Sequence, residues 1–285
     1  MIWRGDVGVQ CLCCLALFPP ARVEWTDVVR IPTDQEKTMN ALVRSGDSSA
    51  GGRLPTVAGR PPAARRWLEA AIQAPRVPAG NAPGPTRFHV RGSICRVPGG
   101  RWMDWEGHQS FETDGLGFRW QARLRLARLV WVDAEDRLDV AGGYGGARLL
   151  GVIPVGSARG PEVTRSQLVR NLAELAFAPR VASRTPGLVW SADGEDAFTL
   201  AAPGIDAEAI VRVIVDDAGD VRSARSPDRP RDHGRAGYLH EPYRLEFDRH
   251  QRLSSGDRIP LSASGTFETA DGDWPYWRFE VLDEG

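Results

Sequence analysis

Lysine is almost absent from this sequence, whose 36 basic residues are arginines except for Lys37. If the folded part lies beyond that position, no lysine remains for a Schiff base, a phosphate-binding loop or an amine general base. Cysteine is also scarce, because three of the four are clustered at Cys11, Cys13 and Cys14 and only Cys95 lies elsewhere. The body of the chain therefore has no internal disulfide, and its cysteines indicate no redox compartment.

The sequence also lacks a strong net charge. The formal net charge of the 285 residues is −1, which gives no overall attraction to nucleic acid or to an anionic membrane. The charge is uneven, since residues 51–130 hold thirteen arginines against five acidic residues. We expect no nucleic-acid partner, and we expect a globular protein from 42% hydrophobic and 26% charged residues.

The first 55 residues have no periodic pattern and are predicted to lie outside the fold. Their apolar run, VGVQCLCCLALF, is shorter than the ~18 residues that span a bilayer, although it resembles the core of a weak signal peptide. Two explanations fit this stretch. It is either a disordered or targeting leader, or the start codon is mis-assigned and translation begins at Met39. Residues 56–285 are predicted to form one β-rich domain, and a cytoplasmic and a membrane-peripheral location both remain open.

Alternating apolar and polar residues predict strands along most of this domain. The clearest is GFRWQARLRL, where Phe118, Trp120 and Leu124 share one face and arginines share the other. We count about ten or eleven strands without any βαβ alternation, which predicts a mainly β (α+β) fold with an antiparallel sheet.

Two helices are predicted among these strands. A short one over about 61–73 begins at two prolines, which suit a first helical turn. A second, over about 164–177, is predicted from a capping box of Thr164 and Gln167 and from an apolar stripe. So short an amphipathic helix is unstable alone in water, so we expect it to cover the hollow of a curved sheet, an antiparallel half-barrel.

Motifs for metal, cofactor or nucleophilic chemistry are weak or missing. His89 and Cys95 lie on one predicted strand ~20 Å apart, too far to share a metal. There is no G-x-S-x-G elbow, and GGYGGARLLG lacks the pattern of a dinucleotide fingerprint. We interpret these glycines as a bulged or tightly curved strand, where only glycine lets backbones approach, and we expect neither a metal nor a cofactor.

Acidic residues are the remaining catalytic candidates. The groups around Asp133, Glu135 and Asp136 are assigned to turns, where aspartates usually cap backbone amides. Glu174 lies four residues after Arg170 on the predicted central helix, opposite its leucines. The pair is interpreted as solvent-exposed, with a contact from Glu174 to an arginine of the polar strand face as the alternative; Glu174 is the one catalytic candidate.

Several stretches resemble a bacterial domain-of-unknown-function family. They span residues 60–283 and include PPAARRWL, FRWQARLRL, GARLLGVIPVGSARGPE, LVRNLAELAFAP, VDDAGDV, DRIPLSASG and DWPYWRFEV. The family implies no established activity and therefore no catalytic residues. Its members often carry a membrane-spanning segment ahead of the domain, and this chain departs from that pattern.

The later hairpin followed by GDRIP also resembles the outer-membrane lipoprotein carriers and receptors. This resemblance implies an unclosed antiparallel half-barrel with helices covering an apolar cavity. It is a likeness of fold, which does not by itself fix function.

These observations lead to a non-enzymatic binding domain that holds a lipid or other amphiphile in the hollow of the sheet. Leucines of the helix would form a lid, tryptophans the walls, and Arg123 would meet an anionic head group. The residues predicted to line this site are Trp120, Arg123, Tyr144, Leu168, Leu172, Leu175, Trp190 and Trp277. The alternatives are an enzyme that acts on a hydrophobic small molecule through a Glu/Asp–Arg site, and a structural or partner-binding module with a filled core.

Overall fold

The computed structural model describes residues 57, 59–73, 86–113, 115–202 and 206–284, and the predicted leader lies outside them. Thirteen antiparallel strands form one curled half-barrel sheet, as the alternating pattern predicts. The strands are β1 (Thr86–Cys95), β2 (Trp102–Phe111), β3 (Phe118–Ala127), β4 (Val130–Asp139), β5 (Gly142–Leu149), β6 (Ile153–Arg159), β7 (Val189–Ala192), β8 (Ala197–Ala202), β9 (Asp206–Val215), β10 (Val221–Asp232), β11 (Tyr238–Arg252), β12 (Arg258–Thr269) and β13 (Gly272–Glu284).

The strand order explains why a helix interrupts the strands. The order is β6-β5-β4-β3-β2-β1-β13-β12-β11-β10-β9-β8-β7, so the chain meanders to one edge at β6 and resumes at the opposite edge with β7. In the middle of the sheet the last strand, β13, pairs with the first strand, β1. A chain that must cross from one edge of a curled sheet to the other has to traverse the hollow, and helices make that crossing.

The crossing consists of α2 (Pro161–Glu174), a 3₁₀ turn (Leu175–Phe177) and α3 (Pro179–Arg184). The helix α2 contacts β4, β5 and β6 on one side and β9 and β10 on the other. Every residue from Ser166 to Pro179 is buried. The central helix therefore fills the hollow of the sheet and is enclosed on all sides, whereas the sequence predicted one apolar face and one solvated face.

The start of this helix corrects the predicted cap. The N-cap is Gly160 and Pro161 is the first helical residue, so the predicted capping box does not form. Thr164 lies inside the first turn, where its hydroxyl donates to the carbonyl oxygen of Gly160 at 3.0 Å and accepts from the amide of Gly143 at 2.9 Å. The signal that marks the true start is Gly-Pro, since proline is favoured at the first helical position.

The N-terminal helix is confirmed as α1 (Pro62–Ala71). Its Trp67 stacks on Phe198 at 5.8 Å and meets Trp190 in a tilted contact at 6.2 Å, both measured between ring centroids. This packing attaches α1 to the β7–β8 side of the sheet.

Thirteen strands exceed the ten or eleven predicted because short strands were merged. The glycine-rich stretch forms both β5 and β6, which turn at Leu150 and Gly151 with φ of 53° and 76°. The Arg/Pro-rich segment after Ser226 belongs to β10, which ends at Asp232. A bulge between Ser226 and Arg229 accommodates that segment in the ladder.

The inner face of the sheet and the crossing helices form the hydrophobic core. On β3 the alternation is complete, since Phe118, Trp120, Ala122 and Leu124 are buried while Arg119, Gln121, Arg123 and Arg125 are exposed. The arginines of β3 therefore lie on the outer face, away from the helix. No helix within the described ranges is both long and apolar enough to cross a bilayer.

Candidate functional site

A cavity of about 740 Å³ lies toward the end of the sheet where β1 turns into β2. The strands β1, β2, β3 and β13 and the turn 96–101 supply its lining, which includes residues from both faces of the sheet. We call it the arginine cavity, and its lining is Arg91, Gly92, Ser93, Arg96, Val97, Arg101, Trp102, Met103, Asp104, Trp105, Glu106, Arg123, Arg125, Leu126, Arg278, Phe279 and Glu280.

Positive charge dominates this lining, with six arginines against three acidic residues. Of these arginines, Arg101, Arg125 and Arg278 are exposed and form no ion pair with any residue that the structure describes. Arg278 lies over the ring of Trp102, with its guanidinium carbon 4.2 Å from the ring centroid. Three cationic side chains are thus available to a ligand, because cation–π stacking leaves the guanidinium donors unused.

The acidic residues near the cavity are largely engaged already. Glu280 accepts from Arg91 and Arg249, both at 2.6 Å, and these two guanidinium groups lower the pKa of its carboxyl. Glu106 is paired with His89 at 3.0 Å, whereas Asp104 is exposed. The local field therefore favours an anion.

One glycine shapes the wall of the cavity. A Cβ at Gly92 would lie 2.5 Å from Cζ2 of Trp105 and 1.9 Å from the carbonyl oxygen of Arg278. Only a residue without a side chain lets the Trp105 ring lie across β1 at this point. Trp105 then contacts Trp120 edge-on, at 5.2 Å between ring centroids.

The eight residues predicted to line a site are not brought together. Arg123 alone lines the arginine cavity, where it also donates to Asp133 at 2.7 Å. The residues that lie in the hydrophobic core are Trp120, Leu168, Leu172, Leu175 and Trp277, each at most 3% exposed. Trp190 is half-buried beside α1, and Tyr144 is half-buried between Arg137 and Arg159.

The catalytic candidate Glu174 lies in a buried polar cluster between α2 and the sheet. It accepts from Arg170 at 2.8 Å and from the amide of Gln109, and Arg170 also donates to Asp136 at 2.7 Å. All four side chains are at most 3% exposed. The predicted solvent-exposed pair is wrong, and so is the alternative contact to the outer strand face.

Burial sets the protonation of this cluster. Desolvation raises the pKa of Asp136 to about 6, although Arg170 and Arg229 lower it. The guanidinium of Arg170 lies over the rings of Phe118 and Trp120, 5.1 and 5.3 Å from their centroids. This arrangement places an ion network inside an aromatic core, where it fixes the position of α2.

A second buried arginine continues the network. Arg229 donates to the hydroxyl of Tyr276 at 2.8 Å and to Ser166 at 3.3 Å, and its guanidinium lies 4.3 Å from the ring centroid of Tyr243. Burial raises the pKa of Tyr243 to about 12, so this phenol stays protonated.

Sequence reasoning missed Asp136, which was assigned to a turn. It lies on β4, where Val132, Ala134 and Leu138 are also buried on the inner face. The alternation from Val132 to Leu138 was the available signal, because it places an aspartate among inward-facing apolar residues. Within the described residues, no three His, Cys, Asp or Glu side chains are grouped as a metal site.

The comparisons with known proteins place the chain by family and not by activity. No curated protein matches it. A solved structure described as a putative outer membrane lipoprotein-sorting protein domain from Vibrio parahaemolyticus is 9% identical, covers 71% of this chain and 85% of its own, and has a TM-score of 0.39. A beta-barrel-like protein of domain of unknown function DUF1849 from Brucella abortus is 11% identical, covers 70% and 97%, and has a TM-score of 0.25.

Likenesses at these TM-scores carry no argument about function. The family comparison is more specific, since one family model matches residues 21–279, which include nearly all of the residues that the structure describes. The expected resemblance to a domain-of-unknown-function family is thereby confirmed. The chain belongs to the family of unknown function DUF6544.

Proposed function

We propose that this protein is a non-enzymatic binding domain for an anionic amphiphile, which it holds in the arginine cavity. The observation that carries the proposal is the combination of three arginines free of ion pairs with a partly apolar wall. Half-buried Trp102, Met103 and Leu126 would contact the apolar part of the ligand, while Arg125 and Arg278 would bind its anionic group.

This proposal keeps the ligand class expected from the sequence and moves its site. The leucines expected to form a lid are packed into the core, whereas the arginine cavity has a volume within the roughly 300–1,000 Å³ of small-molecule sites. The partly open cavity suits a ligand that enters from the surface, and arginine forks suit a carboxylate or phosphate.

Calorimetric titration with dodecyl phosphate is the first experiment. We expect saturable binding of dodecyl phosphate below its micelle concentration. Inorganic phosphate and dodecyltrimethylammonium should bind much more weakly, since one lacks the tail and the other reverses the charge. Equal binding of all three probes, or no binding of dodecyl phosphate, would overturn the proposal.

Matched arginine variants locate the site. Arg125→Gln should weaken dodecyl phosphate binding by roughly tenfold, as expected for the loss of one charge-assisted hydrogen bond. Arg119→Gln is the control, because Arg119 lies on the same outer face of β3, is bound to Glu135 at 2.8 Å and does not line the cavity. Equal weakening by both variants would show that only the general charge matters.

Hydrogen exchange distinguishes this cavity from the hollow first expected. A ligand in the arginine cavity should slow amide exchange in the turn 96–101 and at the end of β3. Slower exchange confined to α2 would instead place the ligand beneath the helix and contradict the proposed site.

A further inference from the structure

Three turns at one end of the sheet form a continuous apolar and basic surface. The strands β1, β3 and β5 run toward this end, and β2, β4 and β6 run away from it, because adjacent strands are antiparallel. Their connecting turns therefore lie side by side. We call residues 96–103, 125–131 and 148–155 the three-turn surface.

The apolar residues of this surface are unusually exposed. Leu129 is 78% exposed, Val152 74% and Ile153 51%. Val97, Val130 and Leu150 are exposed as well, at 47%, 38% and 38%. Six large aliphatic side chains at neighbouring turns form a patch of the kind that marks an interaction site in a globular protein.

The three segments of this surface carry charge of one sign, and the nearby carboxylate of Asp133, beside Gly151, is already bound by Arg123. The three segments contain Arg96, Arg101, Arg125, Arg128 and Arg148 and no acidic residue. Of these, Arg128 and Arg148 are exposed and form no ion pair within the described part of the chain. The opposite end of the sheet differs, since its β9–β10 turn carries Asp216, Asp217 and Asp220.

The backbone holds an apolar residue where a glycine would be easier. Leu150 has a φ of 53°, in the left-handed region that disfavours branched side chains, and its amide donates to the carbonyl of Trp131 at 2.9 Å. This hydrogen bond joins the β5–β6 turn to the start of β4. The two most exposed turns are therefore fixed relative to each other.

We propose that the three-turn surface docks onto an anionic lipid bilayer. Leu129, Val152 and Ile153 insert between the head groups, while Arg128 and Arg148 bind lipid phosphates beside them. The long arginine stems reach the phosphates while the aliphatic tips remain in the apolar layer. The exposed aliphatic side chains favour a bilayer over nucleic acid, because the two aromatic rings of this surface, Trp102 and Trp131, are half-buried and already lie under Arg278 and Arg123.

This inference goes beyond ligand binding in the arginine cavity and can fail separately. Arg128, Leu129, Arg148, Val152 and Ile153 do not line that cavity, whereas Arg278 lines it and lies outside the three-turn surface. Arg125 belongs to both, so Arg278→Gln is the variant that reports on the cavity alone, and variants of Arg128, Leu129, Arg148 and Val152 report on docking alone.

Co-sedimentation with vesicles tests the docking. The full chain should bind vesicles of phosphatidylcholine mixed with phosphatidylglycerol and should bind pure phosphatidylcholine at least tenfold more weakly. Binding should weaken as salt is raised, because salt screens the attraction between arginines and phosphates. Equal binding to both vesicles, or binding to neither, would overturn the proposal.

Two double variants separate the charged from the apolar contribution. Arg128→Gln with Arg148→Gln should weaken partition into the mixed vesicles by roughly 25-fold, at about fivefold per arginine. Leu129→Ser with Val152→Ser should weaken it by at least about tenfold, because the apolar insertion is lost.

The control lies in the turn at the other end of β4. Val140→Ser replaces an exposed valine (37%) of the β4–β5 turn and should leave vesicle binding unchanged. A loss with Val140→Ser as large as that of the leucine and valine variant would contradict docking by the three-turn surface. Binding to heparin gives a second test. If the protein bound heparin as tightly as vesicles, and Leu129→Ser with Val152→Ser did not weaken that binding, the partner would be a polyanion and docking onto a bilayer would be contradicted.

Discussion

At the scale of residues, the side chains that decide the interior are charged. Asp136, Arg170 and Glu174 form a buried ion network with Gln109, and Arg170 also lies against aromatic rings. Removing one partner of such a network leaves a buried charge uncompensated, which costs several kcal/mol. The network therefore specifies how α2 sits in the sheet more than it adds stability.

The raised pKa of Asp136 makes stability depend on pH. Its carboxyl has a pKa of about 6 in the folded protein against 3.8 in the unfolded chain, so folding takes up a proton between these values. The stability from this group is fully present below pH 4 and is lost as pH rises through 6. The difference corresponds to about 3 kcal/mol.

We expect Asp136→Asn to remove this part of the pH dependence. The free energy of unfolding, measured with urea, should fall more in the wild type than in the variant as the pH is raised from 4 to 7. The expected difference between the two changes is about 1–3 kcal/mol. A difference that stays constant across this range would contradict the buried acid.

Asp133→Asn is the matched control on the same strand. Asp133 points to the outer face, where its hydrogen bond from Arg123 lowers the pKa of its carboxyl. The stability it contributes is lost only as pH falls below about 4, so this variant should show no change of slope between pH 5 and 7.

At the scale of elements, the contact between α2 and β5 rests on glycine. A Cβ at Gly143 would lie 2.6 Å from Cα of Thr164 and 2.7 Å from the carbonyl oxygen of Val163. The strand therefore touches the backbone of the helix directly. The sequence interpretation of GGYGGARLLG as a strand approached closely by another backbone agrees with this contact.

Gly143→Ala should push the helix away from β5 and destabilise the protein by about 2–4 kcal/mol, because neither backbone can yield cheaply. Gly146→Ala on the same strand is the control, where the atoms nearest to the added Cβ belong to the outer end of the Tyr144 side chain and not to backbone. Thermal and urea unfolding of both variants should show the larger loss for Gly143→Ala. Equal losses would indicate a general loss of strand flexibility.

At the scale of the whole molecule, the middle strands of the sheet are paired on both sides and the two edge strands on one side only. The pairing of β1 with β13 joins the first and last strands, while β6 and β7 form the edges. Most of β6 is solvent-accessible and it contains Pro154, which has no amide to offer to a further strand.

This asymmetry predicts a gradient of local stability. Amide hydrogen exchange followed by mass spectrometry should be slowest in β1, β13 and β12 and fastest in β6 and β7, because edge strands open without disrupting the core. Exchange in β6 as slow as in β1 would show that the edge is covered by another partner.

Much of the fold was predictable from the sequence because its signals are local. The alternation in β3 assigned each side chain to a face, and the hairpin turns and the two helices followed from turn and helix signals. The residues of the candidate site were harder to predict from the sequence. The alternation placed Arg123 on the strand face opposite Trp120, as observed, but that face is the outer one, so the expected contact of Arg123 with a head group in the hollow is wrong. Its neighbours in the cavity, Arg101 and Arg278, come from turns and strands far apart in the chain.

The sequence by itself determined the strands, their faces and the existence of a central helix, since periodicity of two or of 3.6 residues depends only on neighbouring positions. Only the tertiary structure decided that β13 closes onto β1 and that the helix is enclosed rather than half-exposed. Only the tertiary structure decided the pairing of Arg170 with Asp136 as well, because these residues are 34 positions apart. Such contacts join distant segments, and their energies arise only when the curled sheet excludes water from around them.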